Sequence, residues 1–153
     1  LSKAMQIAVS KESMGSFPDS CKGFFICCYG ISHITINADL PSDYQSLVLA
    51  HELGHAVLHK NISETGFRDI SLFHTDDFLE YEANLFAAEL LISDDDIIAL
   101  LHENIPFFSM AKMLCVVPEL LDYKLRLLKH KGYDVVSPVC ASSDFFKNIV
   151  LNP

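Results

Sequence analysis

His51-Glu52-Leu53-Gly54-His55 is the stretch on which the reading of this chain turns. Two histidines four residues apart on a helix lie about 40° apart around the axis and one turn apart along it, so both imidazoles can reach one metal ion. Neutral imidazole nitrogens suit Zn²⁺. Glu52 leans away from the ligand face and can address water at the metal without being a ligand. Two ligands and a general base are the division of labour that metal-assisted hydrolysis needs. Leu47 to Ala50 are uncharged, and Leu53, Gly54, Ala56 and Val57 are small or apolar, so the helix is buried. Two histidines and a carboxylate on a buried helix are costly without a partner such as a metal. The motif predicts one zinc ion per chain, His51 and His55 as ligands and Glu52 as catalytic base.

Working outward, Ser42-Asp43-Tyr44-Gln45 reads as a capping box that starts the helix, and Asn61 as a left-handed stop. Upstream, Gly23 to Ile31 and His33 to Asn37 read as strands, Phe17 to Ser20 as a turn and residues 1–16 as the end of a helix. Downstream, residues 62–75 read as a loop, and a helical apolar period runs from Asp77 to Ile92. Ser93-Asp94-Asp95-Asp96 caps a short helix, Ile97 to His102, with its acids at the positive end of the dipole. Pro106 breaks the pattern. Ser109 to Leu114 is a short helix, Cys115-Val116-Val117 a turn, and Pro118 to His130 a longer helix stopped by Gly132.

Catalytic zinc takes a third protein ligand and keeps an open position. The candidates are His59, His74, Glu80, Glu82 and Glu89. His59 lies roughly 80° off the face of His51, which suits an outer or surface position better than ligation. Glu82 precedes the small residues Ala83, Ala87 and Ala88, which let two helices pack closely, and Glu89 shares its face two turns on. Spacing does not choose between those two. An acceptor should orient each imidazole, with Asn84 or an acid of residues 62–80 as candidates. His59, His74 and Tyr81 are the chemical candidates for stabilising an oxyanion.

The chain has 153 residues, half of them apolar, enough for one domain with a real core. No apolar run approaches the roughly 18 residues of a spanning helix, and the start lacks a signal-peptide pattern, so no membrane association is expected. Five cysteines without a CxxC read as reduced thiols, which predicts a cytoplasmic location. A net charge of −9 argues against direct nucleic-acid binding. Residues 1–108 hold five Lys/Arg against sixteen Asp/Glu, and residues 109–153 six against four, which marks the last third as a distinct module. Lys124, Arg126, Lys129 and Lys131 there read as a solvated helix face, with no base-reading set.

His51 to His59 (HELGHAVLH), followed by Glu82 to Ile92 (EANLFAAELLI), resembles the ImmA/IrrE family of metallopeptidases. The resemblance covers residues 20–95, with Ser93 standing where family members often have proline. It implies that Glu82 is the third ligand and that Glu52 is the base. It implies an α+β zincin-like domain over residues 1–105, with a small sheet, an active-site helix and a second ligand helix. It implies that a helix-turn-helix-like helical extension, residues 106–153, packs on it. It also implies that Ile34 to Asn37 is an edge strand pairing with extended substrate, and that the substrate is a protein, a helix-turn-helix repressor. The alternative is a zincin-like regulator that binds a partner without cleaving it. Peptide deformylase, another HExxH enzyme, needs an upstream Cys ligand segment that is absent here.

Overall fold

A computed structural model gives the architecture and describes residues 5–17, 19–59, 77–143 and 145. Strands β1 (Ile7–Glu12), β2 (Gly23–Cys28) and β3 (Ile31–Asn37) precede five helices. These are α1 (Ser42–Leu58), α2 (Asp77–Leu91), α3 (Asp94–His102), α4 (Phe107–Met113) and α5 (Pro118–His130). The fold is α+β, as expected. Asn61, His74 and the 62–75 loop lie outside the described residues.

Strands β2 and β3 form an antiparallel hairpin with Phe25 opposite Ile34. Tyr29 and Gly30 connect them at φ of 51° and 78°. Two positive φ values are what a two-residue turn matched to strand twist requires. Tyrosine rarely adopts one, so the sequence reads as strand straight through this turn.

Strand β1 lies parallel to the other side of β3, from Ile7 opposite Ser32 to Glu12 opposite Asn37. The helix end expected within residues 1–16 is corrected to a strand. Only Ile7 of β1 is buried, so no alternation betrayed it; pairing with β3 makes the strand. The sheet order β1-β3-β2 makes β3 its middle strand. Ile34 to Asn37 is therefore not an edge. The edge strand that lies along α1 is β2.

Asn37, fully buried, ties the sheet to the entry of α1. Its Nδ2 donates to the carbonyls of Gly15 and Cys21, and its Oδ1 accepts from the N–H groups of Met14 and Asp39. The expected capping box does not form. Ser42 is the first helical residue, and Gln45 Nε2 donates to the carbonyls of Leu40 (2.6 Å) and Ala38 (3.2 Å) instead.

Helices α1 and α2 touch at backbone distance. A Cβ on Gly54 would stand 2.9 Å from Ala83 Cα and 3.1 Å from its carbonyl oxygen. Ala83, Ala87 and Ala88 are all fully buried, which is the small-residue contact the sequence predicts. Helix α5 packs on α2, and its Leu120, Leu121, Leu125 and Leu128 are buried. Lys124 lies four residues from Leu120 and Leu128 and so falls on their face. The solvated position expected for it is corrected: it is 1% exposed and paired with Glu89 and Asp94. Beyond α5 the chain returns across α2 and α5. Tyr123 Oη donates to the Ser142 carbonyl at 3.0 Å, and the Phe145 ring stacks on Tyr123. No cysteine forms a disulfide. Among the described residues no helix is long and apolar enough to cross a membrane.

Candidate metal centre

The buried face of α1 aims two imidazole nitrogens at one point. His51 Nε2 and His55 Nε2 are 3.1 Å apart. The carboxylate of Glu80, from the second turn of α2, faces both rings, with Oε2 3.3 Å from His51 Nε2 and Oε1 3.5 Å from His55 Nε2. These three residues form the group among those described that could hold a metal ion. Four ligands at about 2.0–2.1 Å from a tetrahedral zinc stand about 3.3 Å from one another, close to the separation of the two nitrogens and of each nitrogen from its facing carboxylate oxygen.

The tautomer of a neutral His51 ring is fixed from outside. Asn84 Nδ2 donates to the Ser143 carbonyl at 2.8 Å, which turns Asn84 Oδ1 towards the ring. An amide oxygen only accepts, so His51 Nδ1, 2.9 Å away, carries the hydrogen. His51 Nε2 is left with its lone pair, facing a second imidazole and a carboxylate. Acceptors converge on a point where only a cation, metal or proton, reconciles them.

The electrostatics agree. With protons rather than a metal at that point, burial would raise the Glu80 carboxyl, but hydrogen bonds from His51 and His55 and the charges of the two rings outweigh it and hold the group well below the usual carboxylate range. Burial depresses His55, and the Glu80 hydrogen bond with the charges of Glu52 and Glu80 more than reverses this. Glu52 is buried beside the group without belonging to it. Desolvation pushes its carboxyl up against the opposing charges of His51 and His55; Glu80 adds to the rise, and a hydrogen bond from the Phe25 N–H of β2 opposes it.

The structure brings together His51 and His55, with Glu52 beside them, but it does not bring Glu82 to the pair. The Glu82 carboxylate lies 3.1 Å from His59 Nε2, and its side chain is 38% exposed against 13% for Glu80. Residues two apart on a helix point about 200° apart, so Glu80 and Glu82 address different targets. A signal for Glu80 was present. It stands three, four and seven residues before Ala83, Asn84 and Ala87, on the stripe that meets α1, whereas neighbours such as Glu82 and Ala83 do not share a face. Glu89 is held by Lys124 and Lys131 at 2.7 and 2.8 Å, away from the histidines. Of the candidate orienting groups, Asn84 takes that position. Tyr81 packs on Tyr123, with the Arg126 guanidinium over both rings.

Fold and site together define a class: an α+β domain whose HExxH helix faces a carboxylate on the helix that follows. The family model described as the IrrE N-terminal-like domain, a peptidase family, matches residues 3–126, and the chain belongs to that family. The metallopeptidase ImmA of Bacillus subtilis strain 168 is 38% identical over 98 residues, 60% of this chain and 54% of that protein. The uncharacterized immunity region protein 2 of Bacillus phage phi105 is 42% identical over 62 residues, 40% of this chain and 39% of that protein. The chain thus matches about half or less of the length of these relatives. No solved structure matches.

Proposed function

We propose that this chain is a zinc-dependent endopeptidase in which His51, His55 and Glu80 hold the metal and Glu52 is the general base. The observation that carries the reading is the convergence of two imidazole nitrogens and one carboxylate within 3.1–3.5 Å, next to a buried carboxyl that stands outside that group. Zinc held there supplies Lewis acidity, which polarises a carbonyl and brings the acidity of water towards neutrality. Glu52 takes the proton from the attacking water and returns it to the leaving amine. Burial raises the proton affinity of its carboxyl, which suits both halves of that exchange. The Phe25 N–H holds the carboxylate in place, and β2, an outer strand among the described residues, is where an extended peptide pairs beside α1. The substrate is a protein, with a helix-turn-helix repressor favoured by the resemblance to the ImmA/IrrE family.

The test is metal content by elemental analysis, run on wild type, Glu80→Gln and Glu82→Gln, followed by a cleavage assay on candidate repressors. About one zinc per chain, lost in Glu80→Gln and kept in Glu82→Gln, is expected from closed donor geometry. A wild type that takes up no zinc when it is offered would overturn the peptidase reading in favour of a regulator that binds without cleaving. Loss of zinc from Glu82→Gln alone would return the third ligand to Glu82.

A further inference from the structure

Glu82 and His59 have a relation to the centre that the ligand set leaves unexplained. His59 ends α1, is 4% exposed, and sits four residues after His55, on the same side of the helix. Its Nδ1 lies 3.0 Å from His55 Nδ1, and its Nε2 lies 3.1 Å from the Glu82 carboxylate. Carboxylate, imidazole and imidazole thus form one chain that ends on a candidate metal ligand.

We propose that His59 and Glu82 are positioning residues for His55, and that the chain from Glu82 through His59 sets the tautomer in which His55 presents its Nε2 lone pair. The inference rests on the reading of His51, His55 and Glu80 as the metal-holding set. It follows from counting hydrogens. An ionised carboxylate only accepts, so His59 Nε2 carries the hydrogen that faces Glu82. A neutral imidazole has one N–H, so His59 Nδ1 has a lone pair. Two ring nitrogens at 3.0 Å need one donor and one acceptor, so His55 Nδ1 carries the hydrogen between them. His55 Nε2 is then left with its lone pair, aimed at the point that His51 Nε2 and Glu80 also face.

The two ligand imidazoles are therefore held by different means. His51 leans on a neutral amide whose orientation a backbone carbonyl fixes. His55 leans on a second imidazole backed by a full negative charge, which makes the outer hydrogen bond charge-assisted and His55 the more basic ligand. The chain also gives the carboxylate that the family pattern marks a role at the centre without direct ligation.

The test uses the full chain as wild type, His59→Leu, Glu82→Ala, the double variant and His59→Gln. Glutamine at 59 keeps an acceptor for His55 and a donor for Glu82, and so guards against a mere packing defect. Zinc affinity is read by competition with a chromophoric chelator. Each single loss is expected to weaken it about 10- to 100-fold, the usual cost of removing an outer partner of a ligand. The double variant should be no weaker than either single one, and His59→Gln should recover most of the affinity. In parallel, imidazole ¹⁵N chemical shifts of the metal-free protein at a pH of about 9, above the ordinary histidine range, should show His55 as the Nδ1–H form in wild type. His59→Leu and Glu82→Ala should show a tautomer mixture. Unchanged affinity and shifts in both single variants would overturn the proposal, as would additive losses. Complete loss of zinc in Glu82→Ala would make Glu82 a ligand and overturn it too. If wild type takes up no zinc, the peptidase reading fails. The metal-free shifts still judge the chain: a fixed Nδ1–H form lost in both variants supports it, and a mixture in wild type overturns it.

Discussion

Helix α2 carries acids into two clusters of opposite chemistry. Near its start, Glu80 meets two imidazoles whose Nε2 atoms stand 3.1 Å apart, and only a proton or a metal reconciles the three groups. At its end, Glu89 and the neighbouring Asp94 meet the ammonium groups of Lys124 and Lys131, two acids against two bases, with Asp94 Oδ1 held by ion pairing to Lys124 and not by a hydrogen bond. Both clusters have a buried member, so burial does not separate them. The balance of donors and acceptors does. A cluster of balanced charge such as the second is a clamp that ties α2 and α3 to α5. A cluster in which acceptors face one another is a place for a cation.

The sharpest way to break this contrast is Glu80→Gln. Zinc content should fall from about one per chain to near zero, with proteolysis abolished, because a catalytic zinc cannot spare one of three protein ligands. Next comes Glu52→Gln, which should keep its zinc and lose activity by about 10²–10⁴-fold, the usual contribution of general acid–base catalysis. Zinc loss there would place Glu52 inside the ligand set. Gly54→Ala should cost about 1–3 kcal/mol of stability by forcing α1 and α2 apart. Because Glu80 reaches the histidines across that contact, zinc affinity should fall with it; a chelator titration beside a denaturant melt checks both. Lys124→Met should cost a similar or smaller amount, about 1–3 kcal/mol, and leave zinc content unchanged. Lys131 still serves one oxygen of each acid.

A smaller effect separates the clusters by pH. In the metal-free protein the raised His55 contributes stability that is complete below about pH 6.5 and is lost as pH rises through its folded value. The depressed Glu80 contributes stability that is complete above about pH 4.3 and is lost as pH falls through its folded value. Thermal midpoints of the metal-free protein should therefore peak between those limits. Zinc requires neutral imidazoles, so its affinity should drop as pH falls through the raised value of His55 and the loaded protein should lose the alkaline decline. Identical profiles with and without zinc would count against the site.

Much of this was readable in the residues. The HExxH spacing, the apolar flanks and the alanine stripe announce a buried helix carrying two metal-directed histidines and a second helix packed closely on it. The third carboxylate was harder. Glu80 and Glu82 are both acids at the start of α2, and the family-like segment begins at Glu82. Following the stripe Ala83, Asn84 and Ala87 back one turn leads to Glu80. Strand β1 was not readable, because a strand with one buried residue leaves no period. The burial of Lys124 was hidden by its charge.

The sequence by itself determined what local spacing dictates: the histidine pair, the carboxylate beside it, the α+β class and the helices that carry them. The tertiary structure alone decided which acid meets the pair, which strand is the edge, and how each imidazole keeps its lone pair aimed inward. Those answers depend on the angle at which α1 meets α2 and on a carbonyl returning at Ser143, 59 residues beyond Asn84. No window of sequence contains contacts of that range, and they form only when burial of the shared core brings distant segments together.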